Sequence, residues 1–143
     1  MPSYLSVSEA KTDIQRIDSI YRDDAGDYND AALSSTIDDV EALINSAISD
    51  RYTLPVTDTN SVAFIQSLIK PILRFKTYVQ FAESMAMPDN VATEYKETMK
   101  TIRELAAKKL SLPDTTEKTT GRPADLVINI DTPLINPSNL TGY

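Results

Sequence analysis

The side chains here that could do chemistry are carboxylates, lysines, arginines and tyrosine hydroxyls, because the sequence has no histidine and no cysteine. Without cysteine there are no disulfides, no thiol nucleophile and no cysteine-ligated zinc. Without histidine the commonest general base and transition-metal ligand is missing. Three groups of the remaining residues are spaced closely enough to act together. The first is the acidic run Asp23, Asp24, Asp27 and Asp30 around Gly26, which invites a calcium reading. Calcium-binding helix–loop–helix units need a glycine sixth and a glutamate twelfth in the loop. Counted from Asp23, Gly26 is fourth and Ser34 twelfth, so the run reads as a solvated, helix-capping loop. The second group is Asp38, Asp39 and Glu41, a carboxylate set that could trade protons. Acidic residues in a first helical turn have a simpler cause, the helix dipole. The third is Lys70, Arg74 and Lys76, the densest basic cluster. It reads either as the solvated rim of a buried helix or as an ion-pairing surface for an acidic neighbour.

The elements that must position these groups are helices. Ser6 or Ser8 can cap a first one, with Glu9 near its positive end and Ile14, Ile17 and Tyr21 as one apolar stripe. A second is expected from Ser34 or Ser35, placing Asp38 and Asp39 in its first turn. Ile37, Val40, Ile44, Ala47 and Ile48 form its apolar face, widened by Leu43, with Asp38, Glu41 and Asn45 on the solvated side. This helix ends around Asp50 to Tyr52, since Leu54-Pro55 cannot continue it. At that exit Arg51 is a cation at a helix C-terminus, and Tyr52 carries an apolar ring whose hydroxyl can reach a backbone group. The exit reads as a well-made helix stop, or as an anchor that fixes the next loop for a partner.

A third helix is expected over about Ser61 to Met85, carrying Phe64, Leu68, Ile69, Ile72, Phe75, Val79 and Ala82. Pro71 inside it predicts a kink or a division into two. Asp89 or Asn90 caps a fourth helix reaching roughly Leu110, with Val91, Tyr95, Met99, Ile102, Leu105, Ala106 and Leu110 in helical register and Lys108 and Lys109 at its C-terminal end. The expected fold is all-α: a small four-helix bundle, five with a break at Pro71, followed by an extended C-terminal tail that can add a short strand to a neighbour. The boundary falls between a helical domain, 1–112, and the tail, 113–143. In that tail Leu126, Val127, Ile128 and Ile130 form a strand-like apolar run, followed by Leu134 and Ile135. Apolar residues in an extension without its own core call for a partner surface.

Composition sets the outer limits. The 143 residues fit one domain, and a 41% apolar fraction with seven tyrosines, three phenylalanines and no tryptophan supplies a modest core. A net charge of −7 argues against a nucleic-acid clamp, though not against a surface that DNA slides past. The N-terminal sequence has no secretory pattern, and no run approaches the roughly 20 apolar residues a membrane span needs. The expectation is a soluble protein made in the cytoplasm.

The helix exit gains meaning in context. A short capped helix, an acidic loop, a helix ending in Ala47-Ile48-x-x-Arg51-Tyr52-x-x-Pro55, a long helix and a fourth helix opening on Tyr95-Lys96 together resemble the phage Mu-like head–tail connector (adaptor) family over about residues 1–112. The resemblance implies a homo-oligomeric, dodecameric ring seated on the portal protein at the neck of the virion, assembled in the host cytoplasm. Such a ring extends the channel through which genomic DNA passes without sequence-specific binding, and it offers a platform to a stopper or tail-completion protein. It implies no catalysis, and the residues themselves lead to the expectation of no cofactor, no metal and no membrane. Arg51, Tyr52 and Pro55 then shape the turn that makes subunit, portal or channel contacts. The tail lies outside the matched stretch; from its own apolar residues, Leu126, Val127, Ile128, Ile130, Leu134 and Ile135 are expected to dock between subunits or on the portal.

Two other classes compete. One is a helical interaction or regulatory module outside any virion, whose tail docks on a partner. The other is a small carboxylate enzyme, which requires acidic side chains to converge in one pocket. The sequence instead spreads them over caps and exposed faces.

Overall fold

A computed structural model describes residues 4–13, 21–22, 24–81 and 86–118. Among these the chain forms four helices: α1 (Val7–Asp13), α2 (Asp30–Ile48), α3 (Thr59–Phe81) and α4 (Asp89–Ala106). The only strand-like pairing among them is one antiparallel bridge between Arg22 and Tyr28, beside a turn at Gly26 with φ +85°. The all-α, four-helix expectation holds. Pro71 sits inside a single α3, so the count is four and not five.

The caps decide the helix starts. Ser6 Oγ accepts the Glu9 amide while Glu9 Oε2 accepts the Ser6 amide, a reciprocal capping box. Leu5, just outside, and Ala10, in the first full turn, are both buried, which fixes the angle at which the chain enters α1. The second helix starts a turn earlier than Ser34 or Ser35, because Asn29 Oδ1 accepts the Ala32 amide at 3.0 Å. Asp38 and Asp39 therefore lie beyond its first turn, where only Asp30 is acidic, so the dipole does not account for them. Helix α4 is preceded by Pro88 with no side-chain cap, and Asp89 is its first helical residue instead of its cap.

The core lies between α2, α3 and α4. Leu33, Ile37, Val40, Ile44 and Ile48 of α2 meet Ile65, Leu68, Ile69, Ile72 and Leu73 of α3, closed by Ile102 and Leu105 of α4. In α3 the expected Leu68, Ile69 and Ile72 are buried, but Ile65 and Leu73 join them inside, while Phe64 and Phe75 are half-buried and Val79 is 58% exposed. Phe75 stacks on Tyr95 with ring centroids 3.8 Å apart, at the border of the core. Ala82 and the residues to Met85, like Ile14 and Ile17, lie outside the described residues. Lys70 and Arg74 pair with carboxylates of their own chain, Asp13 at 3.0 Å and Glu94 at 2.8 Å. No helix among the described residues is long and apolar enough to cross a membrane.

Candidate functional site

The buried polar groups gather on the connection between α2 and α3, residues 49–58, and on the two chain segments that cross it. Helix α2 ends with the Ser49 amide on Asn45 O and the Arg51 and Tyr52 amides both on Ile48 O, so the chain turns out of the helix at Arg51. That turn points both side chains inward: Arg51 is 6% exposed and Tyr52 is fully buried. The Leu54–Pro55 peptide that follows is cis, and Val56 returns to the core.

Arg51 gathers the segment that leaves α4. Its Nη1 donates to Leu105 O at 3.1 Å, a carbonyl that also accepts the Lys108 amide, and to Leu110 O at 2.7 Å just beyond α4. Its Nη2 donates to Ser111 Oγ at 2.9 Å and to the Glu117 carboxylate. The Arg51 carbonyl in turn accepts the Lys118 amide at 2.6 Å. A planar fork of five N–H donors suits such a hub, because one rigid group reaches several acceptors at once. Bonding to Glu117 holds the guanidinium above its ordinary pKa, and bonding to Arg51 holds the Glu117 carboxylate below its own. One donor, Nε, is buried without a partner.

Tyr52 and Ser61 complete the hold. Tyr52 Oη accepts the Leu112 amide at 3.0 Å, and the Leu112 side chain is buried beside it. Ser61 Oγ donates to Pro113 O and accepts from Thr115 Oγ1. Residues 110–118 thus form a strap across the body, and the part of the 113–143 segment up to Lys118 packs on the helical domain. Lys118 Nζ ends it on Ser49 O at 2.8 Å.

On the other side the connection meets residues 4–6. Tyr4 Oη donates to Asn45 Oδ1 at 3.1 Å and accepts the Val56 amide at 3.0 Å. Burial raises the Tyr4 hydroxyl above its ordinary pKa, partly opposed by that backbone bond. Glu41 Oε1 accepts the amides of both Tyr4 and Leu5, at 2.7 and 3.0 Å, and Gln66 Nε2 donates to Tyr4 O. Glu41 is 4% exposed, which corrects its expected place on the solvated side. The crossing segment brings two backbone donors over α2 where water cannot reach them, and a carboxylate is the acceptor available.

Between connection and strap lies an open, mainly polar cleft of about 260 Å³, lined by Thr53, Pro55, Val56, Thr57, Asp58, Asp114, Thr115 and Thr116. Asn60 ties its two carboxylates together: its amide donates to Asp58 Oδ1 and its side chain to Asp114 Oδ2. Among the described residues, what this arrangement does is hold the connection, residues 4–6 and the strap in fixed positions.

Of the residues singled out in the sequence, Arg51, Tyr52 and Pro55 come together here, the first two facing inward and Pro55 exposed on the cleft. Leu126, Val127, Ile128, Ile130, Leu134 and Ile135 lie outside the described residues. Sequence reasoning missed Tyr4, Ser61, Leu112 and Glu117 as parts of this site, and put Glu41 on the wrong face. A signal existed for Glu41, which follows Ile37 by four and precedes Ile44 by three, a spacing that puts it on the buried stripe. For Glu117 there was none, since its partner is 66 residues away.

Compared with known proteins, the chain is matched by the family model described as Bacteriophage Mu, Gp36 over residues 8–128. No curated protein and no solved structure matches it.

Proposed function

Because the chain belongs to the Bacteriophage Mu, Gp36 family, and so is a phage Mu-like protein, we propose that it is a structural component of a phage virion and serves as a head–tail connector. In this reading it forms a ring, dodecameric by the resemblance, on the portal vertex at the neck. The ring extends the DNA channel and presents a platform to a stopper or tail-completion protein. It is not an enzyme and uses no cofactor. The observation that carries the reading is the family match, which runs from α1 through the strap.

The geometry supports it. A connector must hold a fixed shape between two larger assemblies, and here one connection is braced by segments from both sides of the chain through Tyr4, Glu41, Arg51 and Tyr52. A net charge of −7 per subunit suits a wall that DNA passes without adhering. The test is to mix the purified protein with portal-bearing capsids and image the vertex. An added ring is expected; capsids whose vertex is unchanged at saturating protein overturn the reading.

A further inference from the structure

Half of the cations of the described residues are occupied within the chain, and Lys76, Lys108 and Lys109, which are not, stand apart from one another or at the end of α4. Lys11 pairs with Asp30, Lys70 with Asp13 and Arg74 with Glu94; Arg51 and Lys118 hold the strap. Along α4, Lys96, Lys100 and Arg103 are different. Their spacing of four and three puts them on one stripe, all three are exposed, and none makes an ion pair or hydrogen bond among the described residues. Like charges at these spacings repel one another along a helix; Glu97 and Glu104 beside Lys100 offset part of this, and an anionic surface laid over the stripe relieves the rest.

The same chain carries such a surface. Each carboxylate of the cleft spends one oxygen on Asn60 or the start of α3, leaving Asp58 Oδ2 and Asp114 Oδ1 without a hydrogen bond. Thr53, Thr57 and Thr116 stand exposed around them, and no cation among the described residues lines the cleft. Its volume of about 260 Å³ admits an ammonium or guanidinium head. None of the three α4 cations contacts the cleft of its own subunit.

We propose that the Lys96–Lys100–Arg103 face of α4 docks on a second copy of this chain, seating its cations in the Asp58–Asp114 cleft. Two different patches of one molecule then meet head to tail, the arrangement that propagates from copy to copy and closes into a ring when the rotation permits. The proposal rests on the ring reading above and gives it an interface. The contact is electrostatic, so it steers the encounter and weakens with salt.

The absence of native cysteine makes the test clean. Lys100→Cys and Thr57→Cys, made in separate preparations, are mixed at equal concentration and oxidised at low salt. Ser67→Cys, exposed on α3 and part of neither the α4 stripe nor the cleft lining, is the control. The mixed Lys100→Cys/Thr57→Cys disulfide is expected to form roughly tenfold faster than either variant with the control, the lower end of electrostatic rate enhancement. Reversing Lys96 and Arg103 to Glu in the first partner should abolish that advantage. Rates equal to the control overturn the proposal even where the wild-type chain stays monomeric, because an encounter bias needs no stable complex. If sedimentation then shows multimers, or capsids gain a ring, the connector reading stands and only this interface falls. Retention on duplex DNA that is lost in Lys100→Glu would assign the stripe to nucleic acid and also overturn it.

Discussion

The hydroxyl of Tyr52 accepts the backbone amide of Leu112 at 3.0 Å, joining the exit of α2 to the strap across 60 residues of sequence. The Tyr4 hydroxyl does the same for the Val56 amide at 3.0 Å. Each phenol supplies a buried acceptor to an N–H that water cannot reach. Tyr52→Phe keeps the ring and removes the acceptor, leaving one buried donor unpaired at a cost of about 2 kcal/mol. Denaturant unfolding should show that loss, and amide exchange should show Leu112 losing protection first. A variant as stable as the parent would mean that the hydroxyl adds nothing.

Glu41 serves two amides through one oxygen, Oε1. Glu41→Ala should therefore cost more than a single hydrogen bond, about 2–4 kcal/mol, since two buried donors are orphaned. Glu41→Gln retains a carbonyl oxygen in the same place and should recover most of it. Thermal melts of the two variants make the comparison. Equal destabilisation by both would point to the charge, not the acceptor.

These two residues also mark how far the sequence was legible. The helices were readable because their apolar residues repeat at the helical period, and the Arg51-Tyr52-x-x-Pro55 exit because a cation, a ring and a helix stop have local meanings. The start of α2 at Asn29 was misplaced because serines further along satisfied the same capping rule, and Asn29 won by position. The α3 face was right at Leu68, Ile69 and Ile72 but misassigned at its edges, because its apolar residues cover more than one stripe and only packing against its neighbours chooses between them. The direction in which Arg51 and Tyr52 point was not legible at all. Their acceptors and donors come from residues 105–118, which are remote in sequence.

Acidification should loosen the strap. The Glu117 pKa is lowered in the fold from its ordinary 4.5, chiefly by the hydrogen bond from Arg51. A lowered carboxylate adds stability in full above its unfolded pKa and loses it as pH falls through the lower folded value. Exchange at the Lys118 amide, corrected for intrinsic rate, should therefore rise below about pH 4.5. Glu117→Gln should exchange fast throughout and show no such step. Glu9 is lowered in the same range by its bonds to Ser6, so Glu9→Gln must leave the step intact if it belongs to the strap.

The turn that launches the strap can be improved. Lys108 has φ +61°, and its amide bonds Leu105 O while the Lys109 amide bonds Glu104 O, the pattern that closes a helix through a left-handed residue. A lysine pays for that conformation and a glycine does not. Lys108→Gly should raise stability by about 1 kcal/mol, and Lys108→Val should lower it. Guanidinium titrations would separate the two, and a destabilised glycine variant would contradict the assignment of the turn.

The convergence of residues 4–6 and 110–118 on a single connection has a mechanical side. A pull applied between these two segments runs from Tyr4 to Val56, along the loop to Tyr52, and out through Leu112. Ties from Glu41 and Gln66 to residues 4–5, and from Arg51 and Ser61 to residues 110–115, share that load. All of them end on the two crossing segments, so the bundle should keep its helices together under tension that has already opened these ties. Single-molecule stretching from these segments would show two force peaks in that order, the smaller first.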